Sequence, residues 1–332
     1  MKISRRRFNR LSALAGIACL GRMEAESNDA SVPVAIVKTD NREQGIPKAV
    51  ALLGEFSYKE KNVYLKCNYN SPDPYPATTH PEALRAAAEF IKSRGSQKII
   101  VAERSGMGVT REVVEKLGAL ELMSQLGLGF LPLEELAAGD WKRMNLPGSN
   151  WKNGVEIPDF LAQKPCVVQV CNLKTHRFGG EFSASLKNSI GLIAKRSLTD
   201  PHWNYMEELH SSPYQCRMIA EVNQVYSPDL IIMDAIQVFK TGGPESGELA
   251  SPGIIAASRD RVALDAVGLA LLRHFGAPTL LNPDPVFEQE QLKRAVELKL
   301  GVQSEKEIKL LSEDTESRRI ALKLESVLYE SQ

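Results

Sequence analysis

The chain has 332 residues, 41 basic and 41 acidic side chains, and therefore no net charge. With 43% hydrophobic and 25% charged residues, it has the balance of a folded soluble chain of one large or two ordinary domains. That balance excludes a nucleic-acid binder working through a broad basic surface.

Residues 1–27 differ from the rest. A basic start is followed by a short apolar stretch, Leu11 to Leu20, and then by polar residues. The stretch is too short for a comfortable membrane span, so it reads as a cleavable export signal. Ser4-Arg5-Arg6-Arg7-Phe8 resembles the twin-arginine signal S-R-R-x-F, with Arg10 where a lysine is usual. The expected partner is the twin-arginine export machinery, and the expected location is periplasmic or otherwise extracytoplasmic. The competing reading is a basic amphipathic N-terminal helix. Past the signal, four cysteines remain: Cys67, Cys166, Cys171 and Cys216. An oxidising compartment permits disulfides, and sequence does not choose among the three pairings. Cys166 and Cys171 share one strand at odd spacing, so they point to opposite faces.

Apolar runs then alternate with helical patterns over residues 30–302. Val34–Lys38 reads as a strand. "PKAVALLGEF" reads as a helix with Pro47 near its start, and Asn62–Asn68 as a strand. "THPEALRAAAEFIKSRG" reads as a helix capped by Thr79 and stopped by Gly95. Lys98–Glu103 is a strand, and Thr110–Leu126 a helix. "GLGFLPL" and Pro165–Val170 are further apolar runs. Polar, turn-rich Gly139–Gly154 between them reads as an excursion or a small antiparallel addition. Ser183–Ala194 reads as a helix, with another within Tyr205–Val225. "PDLIIMDAI" and "PGIIAAS" read as strands. Arg261–Phe275 is a helix that Gly276 can stop. Residues 303–332 read as a peripheral helical tail. Continuous apolar strands separated by helices imply one large α/β domain, with a mostly parallel sheet covered on both faces.

In such a sheet, ligands collect at the carboxyl ends of the strands. The residues expected there are unusually polar. Lys66, Cys67 and Asn68 follow one strand, and Glu103, Arg104 and Ser105 the next. Cys171, Asn172, Lys174 and His176 follow a third. Asp234 ends a fourth and is followed by "KTGGPESG", whose Gly243 would let backbone approach a ligand. Ser258 and Asp260 follow a fifth. "VCNLKTHRFGGEFSASLKNSIGLIAK", Val170 to Lys195, is the densest of these stretches. On a helix, Ser183, Lys187, Gly191 and Lys195 form a polar, small-residue stripe, and Leu186, Ile190 and Ile193 an apolar face. Gly179 and Gly180 precede it, so free backbone N–H groups at the helix start could receive an anion. Lys66, Lys174 and Lys187 would orient that anion. His176 and Asp265, a carboxylate inside an otherwise apolar helix, would handle protons. Lys187 or Lys66 could supply a partner for Asp265. Asp260 reads first as a helix cap.

No P-loop, no G-x-G-x-x-G fingerprint, no C-x-x-C and no iron–sulfur spacing occurs, so the cofactor stays open. His176 with Asp200 or His202 would make a borderline metal constellation. Cys67 and Cys171 could approach each other as ligands or as a disulfide.

Five stretches together resemble the DUF362 family: "LKCNYN", "ATTHPEALRAAAEFIKSRG", "LKTHRFGGEFSASLKNSIGLI", "GGPESG" and "SRDRVALDAVG". The resemblance implies attention to Lys66, Asn68, His176, Lys187, Asn188, Gly191, Asp260 and Asp265. Cys67 stands where the family has proline. Some relatives carry a ferredoxin-like module, whose cysteines this chain lacks, so that role does not transfer. The family brings no reaction. Two classes of function follow: an exported enzyme acting on a small anionic metabolite, or a non-catalytic ligand- or metal-holding accessory protein.

Overall fold

The computed structural model describes residues 31–178, 181–200, 202–278 and 284–329. The export-signal segment, Gly179 and Gly180 lie outside them. Strand β1 (Val32–Lys38) leads to helix α1 (Arg42–Leu52), β2 (Asn62–Lys66), α2 (Pro81–Ser93) and β3 (Lys98–Glu103). Two short helices, α3 (Thr110–Lys116) and α4 (Ala119–Gln125), precede β4 (Gly129–Pro132). A hairpin of β5 (Trp141–Met144) and β6 (Val155–Pro158) is followed by α5 (Asp159–Ala162) and β7 (Cys166–Asn172). The chain then forms a miniature hairpin, β8 (Lys174–Thr175) and β9 (Phe182–Ser183), before α6 (Ser185–Asn188). Helices α7 (Tyr205–Ser211) and α8 (Gln215–Glu221) lead to β10 (Leu230–Ala235). A second small pair, β11 (Val238–Phe239) and β12 (Leu249–Ala250), precedes β13 (Ile254–Ser258) and α9 (Arg261–His274). Helix α10 (Glu290–Glu297), β14 (Ile308–Leu311) and α11 (Thr315–Tyr329) complete the fold.

Eight strands form one sheet in the order β14-β1-β13-β10-β7-β2-β3-β4. The fold is α/β and mostly parallel, as expected, with one exception. Strand β13 runs antiparallel to both β1 and β10. Side chains alternate between two apolar layers. Along β10, Ile231, Met233 and Ala235 enter one core and Leu230 and Ile232 the other. Cys166 and Cys171 divide the same way. Period-2 alternation buried on both sides is why these strands read as unbroken apolar runs. The segment expected to be a purely helical tail also supplies β14, which pairs with β1 at the sheet edge.

Helix bounds differ where local chemistry overrides the apolar period. Asn41 starts α1 by accepting the Gln44 N–H (2.9 Å), so Pro47 lies inside the helix rather than near its start. His80, not Thr79, caps α2; the Thr79 hydroxyl accepts the Asn68 N–H instead (2.8 Å). Gly118, at φ +69°, breaks the helix expected over Thr110–Leu126 into α3 and α4. The helix expected over Ser183–Ala194 is much shorter. It is the four-residue α6 followed by a 3-10 turn, Ser189–Leu192. Serines, Asn188 and Gly191 are weak helix formers, and the Ser189 hydroxyl bonds back to the Ser185 carbonyl (3.4 Å).

Candidate active site

Parallel pairing of β2 with β3 sets Leu65 opposite Val101. Lys66, next on β2, and Glu103, at the end of β3 two residues beyond Val101, meet at this edge. Lys66 Nζ lies 2.7 Å from Glu103 Oε1 and 2.9 Å from Oε2, and both residues are buried. Burial pushes the Glu103 carboxyl up, against Lys66 and the amides of Tyr69 and Arg104, which favour its charged form. Lys66 also donates to the Cys67 carbonyl and to Asn188 Oδ1 (3.1 Å). The other end of that amide, Asn188 Nδ2, is buried without a hydrogen-bond partner.

Above this pair opens a cavity of about 370 Å³. It is walled by the ends of β2 and β3, the β8–β9 hairpin, α6 and α7. Lys66, Asn68, Glu103, Lys174, His176, Lys187, Asn188 and Gly191 all line it. The structure thus brings together eight residues singled out from the sequence. Tyr69, Asn70, Arg104, Met107, Phe178, Ile190, Met206, Leu209 and His210 complete most of the wall. Ile190 was expected to face the sheet. The tighter 3-10 turn rotates it into the cavity instead.

Gly191 is dictated by contact. A Cβ there would lie 2.8 Å from Glu103 Oε1 and 2.8 Å from Lys66 Nζ. Gly243 is dictated more severely, since a Cβ would fall 1.9 Å from the Thr175 carbonyl oxygen and φ is +61°. Its carbonyl accepts from the Arg177 N–H (3.3 Å) and Nη1 (2.9 Å). Gly243 is thus a buttress of the β8 loop, while its neighbour Pro244 reaches the cavity.

Four lining side chains are cationic types, Lys66, Arg104, Lys174 and Lys187, against one carboxylate, Glu103. Arg104 is committed to the carbonyls of Ile193 (3.0 Å) and Ile190, which fixes the turn after α6. Lys174 is buried and donates to the Ala77 carbonyl. Burial, with the nearby Lys187 as the second cause, pushes the Lys174 amine down to about 7. Burial likewise pushes Lys187 down to about 8. At that value about a tenth of Lys187 is neutral at pH 7, against roughly one part in three thousand at the ordinary value. The Lys187 amine makes no hydrogen bond or ion pair with any described residue, and the side chain is only half-buried, at the cavity wall. His176 follows Lys174 on the hairpin; its N–H bonds the Glu181 carbonyl (2.8 Å) and its ring meets Phe178 edge-on at 6.0 Å.

Besides Gly243, two further sequence-derived residues, Asp265 and Asp260, are not in the cavity. Asp265 is fully buried behind α6, accepting the N–H groups of Ser185 (2.7 Å) and Leu186 (2.9 Å). Burial pushes it up to about 7, with the two amides pulling the other way. Its partners are those amides rather than Lys187 or Lys66, so it holds the helix start and does not face a ligand. Asp260 caps α9 through Val262 and Ala263 (2.8 and 2.9 Å) and accepts the Val302 N–H (2.9 Å). Because β13 is reversed, its end lies beside the beginnings of β1 and β10, on the opposite edge from the cavity.

The metal and disulfide expectations do not gain a centre. Among the described residues no group of three His, Cys, Asp or Glu side chains is placed to hold a metal. His202 donates its N–H to Asp200 (3.1 Å) and neither lines the cavity. No disulfide joins the described cysteines. The residues missed were mostly apolar or aromatic, and nothing in their local pattern separates a cavity wall from a core. His210 carried a signal as a histidine one helical turn from Met206, but only α7's docking aims it at the cavity.

The family described as a domain of unknown function, DUF362, matches residues 63–270. A thylakoid-associated protein of Synechocystis sp. is 27% identical over 218 residues, 65% of this chain and 64% of that protein. The chain thus spans somewhat under two thirds of that relative's length. Among solved structures, the lactate racemase apoprotein of Thermoanaerobacterium thermosaccharolyticum aligns at 13% identity with a TM-score of 0.42, over 71% of this chain and 56% of that one.

Proposed function

From the premise that the chain belongs to the DUF362 family, whose description assigns no reaction, we propose that it is an exported enzyme acting on a small organic anion. The observation that carries this reading is the cation surplus of the cavity. Four cationic side chain types face one carboxylate, and that carboxylate is already paired with Lys66. Among the described residues Lys187 forms no ion pair with a carboxylate, and a buried or half-buried cation without one is unfavourable. A carboxylate or phosphate would supply it. The unspent Asn188 Nδ2 donor adds a directional hydrogen bond at the same wall. Met107, Phe178, Met206 and Leu209 favour a ligand with an apolar body behind its charged head. A part-neutral lysine supplies a group able to exchange protons near neutral pH, and the His176 imidazole lines the same wall.

The test is the shift in melting temperature of the purified protein across a panel of small carboxylates and phosphates. At least one should stabilise the wild type, and Lys187→Met should abolish its effect without loss of the fold. If every member acts equally on both proteins, the cavity is not an anion site. Turnover of the stabilising anion separates an enzyme from a ligand-holding accessory protein. Metal analysis of the exported protein tests a metal-holding role: stoichiometric metal lost in His176→Ala favours it. Export rests on Arg5 and Arg6, and replacing both by lysine should leave the protein in the cytoplasm; unchanged export would remove the twin-arginine reading.

A further inference from the structure

We propose that Lys187 is a nucleophile that forms an imine with the carbonyl group of a 2-oxo carboxylate held in this cavity. The inference rests on the anion-site reading above and adds to it the substrate class and the bond that forms.

A nucleophilic amine needs a lone pair, room for attack, and no partner that must be broken first. The Lys187 amine has no hydrogen bond or ion pair among the described residues and opens onto the cavity. The other lysines do not meet these conditions. Lys66 is locked to Glu103, Cys67 and Asn188, and Lys174 is tied to the Ala77 carbonyl. Lys195 donates to the Gly108 carbonyl (3.0 Å) and does not line the cavity. Burial lowers the basicity of both cavity lysines, and the geometry makes the division, because the Lys174 amine is held by a carbonyl and the Lys187 amine is not. Lys187 lies close enough to Lys174 for its charge to lower the basicity of that neighbour, so the two amines do not both hold a proton easily.

The ligand class follows from what surrounds that amine. A carboxylate next to the carbonyl would meet Lys174 and the free Asn188 Nδ2, and an apolar remainder would meet Phe178, Met206 and Leu209. The step balances without any oxidant or reductant. The Nζ lone pair attacks the C2 carbonyl carbon, and the carbonyl π pair moves to oxygen, which takes a proton. The carbinolamine then loses that oxygen as water, with His176 or Lys174 as proton donor. Amine plus ketone thus gives imine plus water. Protonated, the imine draws electrons from C3, so the reaction class it serves is proton removal or carbon–carbon bond change at C3.

The full chain is incubated with glyoxylate, pyruvate or 2-oxoisocaproate together with cyanoborohydride, which reduces an imine to a stable secondary amine. Adducts are mapped by peptide mass spectrometry, and melting temperatures are read in parallel with each oxo acid and its 2-hydroxy counterpart. The expected result is an adduct on Lys187 at least tenfold above that on any surface lysine. It should be absent from Lys187→Met and also from Lys187→Arg, which keeps a cation at the position. Stabilisation by the acids without preferential labelling of Lys187 overturns the imine and leaves the anion site standing. No stabilisation and no preferential labelling overturns both. Labelling centred on Lys174 overturns the assignment of the nucleophile.

Discussion

Replacing Lys187 by methionine should make the protein more stable while removing its anion response. The wild-type amine is pushed from its ordinary 10.5 to about 8 by burial. At 1.36 kcal/mol per pH unit, holding that charge at pH 7 costs the folded state about 3 kcal/mol. Water in the cavity relaxes part of this, so a gain of about 1–3 kcal/mol is expected from the variant. The sign is set by proton binding. Between pH 8 and 10.5 the unfolded chain binds more protons at this lysine than the folded chain does, so wild-type stability rises with pH across that window. Below pH 8 the full penalty is present. The advantage of Lys187→Met should therefore be largest at pH 7 and shrink below about 1 kcal/mol by pH 10. Urea denaturation of both proteins from pH 7 to pH 10 measures it. A variant no more stable than wild type at pH 7, with a parallel pH profile, would refute the claim that this ammonium lacks a counter-charge.

Glu103→Gln leaves the buried Lys66 ammonium without its carboxylate and should cost about 3–5 kcal/mol in denaturant midpoint analysis; a loss under about 1 kcal/mol would mean the pair is dispensable. Gly191→Ala drives a methyl group into the same pair. A loss of about 1–3 kcal/mol is expected, together with a weaker anion-induced shift in melting temperature, and an unchanged shift would show that the pair does not shape the cavity. Asp265 is raised from 3.8 to about 7, so the folded state holds its proton more tightly than the unfolded state between those values. Its favourable contribution is present below about pH 4 and lost as pH rises through 7. Asp265→Asn should flatten that part of the stability profile, measured by urea titrations at pH 4, 5.5 and 7; an identical slope in both proteins counts against it.

The sheet was legible because its strands are buried on both faces, which leaves unbroken apolar runs such as Leu230–Met233. Strand ends were legible for the same reason: Lys66, Glu103 and Lys174 stand out where an apolar run stops. The direction of a strand carries no such mark. "PGIIAAS" reads identically in either sense, and the reversal of β13 is what sends Asp260 to the far edge. Helix length was also hidden. The four-residue spacing of Ser183, Lys187 and Gly191 suggested one helical stripe, yet Ser183 reaches the cavity from β9, Lys187 from α6 and Gly191 from a 3-10 turn. Three residues converge through three different backbones, so the residues expected together do meet, for a different reason.

That difference changes how a ligand's charge must be met. A long helix after Gly179 and Gly180 would have offered an anion its own unpaired N–H groups and its dipole. In the structure, both carboxylate oxygens of Asp265 already take the N–H groups of Ser185 and Leu186 at the start of α6. A second anion there would sit against a carboxylate, and four residues give little dipole to offset it. Negative charge in the cavity must therefore be met by side chains, and those able to meet it include the Lys187 amine and Asn188 Nδ2. Side-chain cations differ from a helix end in one respect: they titrate. Two neighbouring lysines with depressed basicity will not both stay charged in an empty cavity, and an entering carboxylate restores the charge of one of them. Anion binding at pH 7–8 should then take up protons from the buffer, which isothermal calorimetry in buffers of different ionisation enthalpy would read directly. Binding with no proton uptake would mean that both lysines are already charged, and the division of labour between them would fail.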